Sequence, residues 1–72
     1  MTRQSYQKQL EELNTEILRM GSMVEKSVRQ AIDALATRDT ALAHDVIEED
    51  LAIDKLALHI EQTCLDMLAL QQ

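Results

Sequence analysis

The chain has 72 residues, 46% of them hydrophobic, and a formal net charge of −6 from thirteen acidic and seven basic residues. This length allows one domain with a thin core. The acidic balance, with no basic cluster, excludes phosphate backbones and anionic membrane surfaces as partners, because both require a positive patch.

The residues from about 4 to 36 follow a helical period. Tyr6, Leu10, Leu13, Ile17, Met20, Val24, Val28, Ala31 and Leu35 recur in steps of three and four and fall on one face. Glu12, Thr15, Arg19, Ser22, Lys26, Gln30 and Asp33 occupy the other side. The pattern predicts an amphipathic helix of roughly 50 Å at the usual rise per residue. Gly21, the only glycine, lies on the apolar face. It marks either the close approach of a neighbouring helix backbone or a local kink.

A break follows at about 37–39, where Asp39 is a good N-cap for a helix from about 40 to 71. Leu42, Val46, Ile53, Leu56, Ile60, Met67 and Leu70 resume the period. So short a connection forces the two helices side by side and antiparallel. The expected fold class is therefore all-α, a long antiparallel helical hairpin. There is no proline and Tyr6 is the only aromatic residue, which suits helix packing and not sheet.

The hairpin is not expected to be the whole packing unit. Adding Ile47, Leu51, Leu58, Leu65 and Leu68 widens the apolar arc of the second helix to roughly 200°. One neighbouring helix covers about half of that arc. The helical pattern also still runs at Met67-Leu68-Ala69-Leu70-Gln71-Gln72, with no C-cap signal after it. A third helix or a second copy of the hairpin must cover the remaining face, and a homo-oligomer is expected.

Asp50, Glu61 and Asp54 fall at about 40°, 60° and 80° from Val46, inside the apolar arc. His44, Glu48, Lys55, His59, Gln62 and Asp66 form the polar face of the same helix. Asp50 and Asp54 stand one turn apart, so their carboxylates share one surface and oppose each other mildly. Burying them uncompensated would be costly. Three readings stand: solvated acids on an acidic chain, salt bridges to Lys or Arg of a covering helix, or ligands for a hard cation, iron or manganese. No Glu-x-x-His pair accompanies them, His44 and His59 read as surface residues, and Glu49 lies at the edge of the core seam. Cys64 reads as an inert buried thiol.

Nothing in the chain supports catalysis. It offers no glycine-rich phosphate loop, Cys/His pair or Ser/His/Asp set, so it is not expected to be an enzyme. No apolar stretch reaches the ~18 residues of a membrane span. A single cysteine and the polar start Met1-Thr2-Arg3-Gln4-Ser5-Tyr6 make a cytoplasmic protein the economical expectation.

The stretch Met20-Gly21-Ser22-Met23-Val24-Glu25-Lys26, then Ala31-Ile32-Asp33-Ala34-Leu35 and Asp39, resembles the first helix and turn of the PhoU family. Leu42-Ala43, then Val46-Ile47-Glu48-Glu49-Asp50-Leu51-Ala52-Ile53-Asp54 and Cys64 to Gln72, are similar to its second helix. The family regulates high-affinity phosphate uptake in bacteria. The resemblance spans nearly the whole chain, and it implies that residues 1–72 form part of a PhoU-like helical domain, the first two helices of a three-helix-bundle repeat. It implies that Asp50 and Asp54 match the family's helix-2 metal motif, so a divalent metal or iron is the expected cofactor. The partner motif, Glu-x-x-x-Asp on a third helix, is absent, and Ala57 stands where many relatives have Glu, so the site is incomplete in this chain.

The function implied by the resemblance is negative regulation of phosphate-starvation genes, through contacts with the phosphate transporter's ATPase and the phosphate-sensing histidine kinase. Two readings of other classes stand beside it. One is a structural hairpin that forms a four-helix-bundle oligomer, the other a fragment of a carboxylate-bridged metal protein.

Overall fold

Leu, Ala, Glu, Lys, Arg, Gln and Met make up most of both halves, and none of them interrupts a helix. The computed structural model describes residues 3–71. It is the expected hairpin, with α1 at Arg3–Thr37 and α2 at Thr40–Gln71. Met1, Thr2 and Gln72, the ends of the expected domain, lie outside the described residues. There is no strand among the described residues. The hairpin measures 52 × 16 × 13 Å, one layer of two helices.

The turn is closed by backbone geometry and one carboxylate. Arg38 takes a left-handed conformation, with φ 54°. This lets the Asp39 N–H reach back to the Ala34 carbonyl at 3.0 Å, the six-to-one bond that ends many helices. Asp39 then starts α2. Its Oδ1 accepts the Leu42 N–H at 3.0 Å, and its carbonyl accepts the Ala43 N–H at 3.0 Å. The expected N-cap is in place.

The helices meet along two rows that each repeat every seven residues. On α1 these are Tyr6, Leu13, Met20, Ser27 and Ala34, with Gln9, Glu16, Met23 and Gln30 between them; all are buried or half-buried. On α2 they are Val46, Ile53, Ile60 and Met67, interleaved with Leu42, Glu49, Leu56 and Thr63. A strict seven-residue repeat keeps a seam facing its partner, as in coiled coils. Among the described residues the buried apolar ones are Ala34, Ile53, Ile60 and Met67, and no side chain is fully enclosed.

This seam differs from the apolar face expected for α1. Ile17, Val24, Val28 and Leu35 lie beside this seam and are exposed. The sequence face is wider than one seam, and α2 takes one edge of it. On α2, Ile47, Leu51, Leu58, Leu65 and Leu68 are exposed, in keeping with the wide apolar arc.

Charge is divided between the helices. On α1, Arg3, Lys8, Arg19, Lys26 and Arg29 balance Glu11, Glu12, Glu16, Glu25 and Asp33. On α2, Lys55 stands alone against Asp45, Glu48, Glu49, Asp50, Asp54, Glu61 and Asp66. The whole net charge therefore resides on α2.

Candidate functional site

Two antiparallel helices in contact leave a groove on each side of their seam, and here the two grooves differ. One is polar. Gln9, Glu12 and Glu16 of α1 face His59 and Thr63 of α2 there. His59 Nε2 lies 3.4 Å from Glu16 Oε2, a cross-helix contact that becomes an ion pair when the imidazole is protonated. His59 thus does more than sit on a solvent face. The seven-residue spacing of Gln9, Glu16, Met23 and Gln30 marks those four as seam residues, but it does not point to His59 as their partner. Gln9 Oε1 is buried here with no hydrogen-bond donor.

The other groove is apolar at both ends. Near the turn, Ala31, Ala34 and Leu35 face Ala43, Val46 and Ile47 around a hollow of about 320 Å³. At the open end, Tyr6, Leu10 and Leu13 face Cys64, Met67 and Leu68 around one of about 240 Å³. Cys64 is half-exposed and lines this hollow, so it is not the buried thiol expected. The reason is architectural: the part of the arc it occupies lies beside the seam, where α1 covers it only in part.

Between the two hollows the helical rows place Ile17, Gly21, Val24 and Val28 on α1 and Asp50, Asp54, Ala57 and Glu61 on α2. Asp50 and Asp54 are both exposed, and neither has a hydrogen bond or ion pair among the described residues. The structure brings the two carboxylates to one groove wall, one turn apart, and brings no cation to them. No group of three His, Cys, Asp or Glu positioned for a metal ion exists among the described residues. Two carboxylates are fewer oxygen donors than a hard cation takes.

Gly21 is also explained only in part. α1 runs through it without interruption. Apart from the adjoining backbone of α1 and the two chain neighbours, no atom lies within 4 Å of where a Cβ would stand, so α2 is not the neighbour for which this position is small. His44 is exposed on α2, in keeping with a surface residue. No helix among the described residues is long and apolar enough to cross a membrane.

The description "PhoU domain" matches residues 17–72, which takes in most of α1, the turn and all of α2. The chain belongs to the PhoU family. A PhoU homolog of Clostridium acetobutylicum, named as a phosphate-specific transport system accessory protein, is 40% identical over 72 residues, covering 100% of this chain and 33% of the relative. A PhoU homolog of Pseudomonas putida with the same description is 38% identical over 69 residues, 96% of this chain and 27% of the relative. The PhoU of Escherichia coli K12 is 34% identical over 64 residues, 89% of this chain and 27% of the relative. The chain spans a third or less of the length of these PhoU proteins. No solved structure matches it. Gly21, Asp50, Asp54 and Cys64 all lie inside the PhoU match.

Proposed function

We propose that this chain works as part of a phosphate-transport accessory protein that represses phosphate-starvation genes when phosphate is plentiful. The observation that carries the reading is similarity along the whole chain to a relative named as an accessory protein of phosphate-specific transport. Its partners are the transporter's ATPase and the phosphate-sensing histidine kinase, in the cytoplasm, and it acts by contact and not by catalysis. The uncovered apolar rows support a role built on protein contacts, since large exposed apolar surface marks interaction sites.

A genetic test is direct. Deleting the gene should switch on a phosphate-starvation reporter in phosphate-rich medium, and returning the gene should silence it. A reporter that stays silent in the deletion strain would contradict the repressor reading. Cross-linking in cells separates the partners: ATPase and kinase peptides should be recovered joined to α1 or α2.

Asp50 and Asp54 are proposed as half of a metal site for iron or a divalent cation, completed by carboxylates from elsewhere. Two ligands hold a hard cation weakly, because such ions take about six or more oxygens. Titration calorimetry of the 72-residue chain with iron, manganese, zinc and nickel should show weak binding at most, lost in the Asp50→Asn, Asp54→Asn double variant. Equal binding by that variant would leave the two aspartates as surface charges.

Self-association is proposed to bury the outer edge of α2, where Leu51, Leu58 and Leu65 recur every seven residues and are all more than half exposed. This is the surface farthest from the seam, and the hairpin leaves it bare.

A further inference from the structure

We draw no further inference here: the strongest candidate, the polar groove where Gln9, Glu12 and Glu16 of α1 face His59 and Thr63 of α2, rests on one exposed histidine–carboxylate contact and one buried amide oxygen without a donor, and nothing in the structure shows what ligand or partner would occupy it.

Discussion

Arg38 holds a conformation that costs an L-amino acid with a side chain about 1–2 kcal/mol. Glycine has no such cost, and the left-handed position after a helix is where it is most often found. Arg38→Gly should therefore stabilise the hairpin by about 1 kcal/mol, seen as a melting temperature higher by roughly 4–8 °C. An unchanged or lower melt would show that the arginine side chain contributes something the turn needs. Asp39 acts in the opposite sense. Its carboxylate satisfies the Leu42 N–H, and Asp39→Ala should cost about 0.5–2 kcal/mol. A melt unaltered within error would pass the capping role to Thr40. Serine is a comparable N-cap, so Asp39→Ser should recover most of the loss.

Within α2 large aliphatic side chains have different value on opposite faces. Ile60 is 7% exposed and lies on the seam, whereas Leu58 is 66% exposed two residues earlier. Ile60→Ala should destabilise by about 2–5 kcal/mol, and Leu58→Ala by less than about 0.5 kcal/mol in chemical denaturation at concentrations where the chain is monomeric. Similar losses at both positions would mean that Leu58 is covered. Much of this arrangement was legible beforehand. The three-four spacing of Leu10, Leu13, Ile17 and Met20 announces a helix, and Asp39 announces its successor. What periodicity left open was the choice between adjoining rows. Ile17 and Val24 fit a 3.6-residue face as well as Met20 and Met23 do, and only the partner helix decides which row is used. The contact between Glu16 and His59 depends on the register of two helices, which no single-helix pattern contains. Arg38 was silent because its residue type carries no turn signal. Asp50 and Asp54 were recognisable as acids on an apolar arc, and the structure adds that no cation inside the hairpin answers them.

The hairpin as a unit has one layer and, among the described residues, four buried apolar side chains, so its stability should depend on concentration. Anything that binds the folded state and not the unfolded one raises apparent stability by mass action. Sedimentation should show assemblies of at least four helices at micromolar concentration, with the melting temperature rising on further concentration. Leu51→Gln with Leu58→Gln should return the chain to a less helical monomer. A wild-type monomer, fully helical and insensitive to dilution, would contradict this. The uneven charge bears on the same experiment. Packing α2 against a second α2 juxtaposes two helices of net −6, so added salt should strengthen assembly by screening that repulsion.

Tyr6 is the only aromatic side chain, and it sits at the open end of the hairpin, beside Leu10, Cys64 and Met67. The protein thus carries a single intrinsic fluorophore, placed about as far from the turn as the molecule allows. Its emission reports the fraying of one end and is blind to events near Arg38 and Asp39. Peptide-bond circular dichroism, in contrast, averages over both helices. The two optical signals should therefore separate in a variant loosened at the turn, with the dichroism falling first and the tyrosine emission following only when the open end parts. Coincident transitions would identify the 52 Å hairpin as one cooperative unit from end to end.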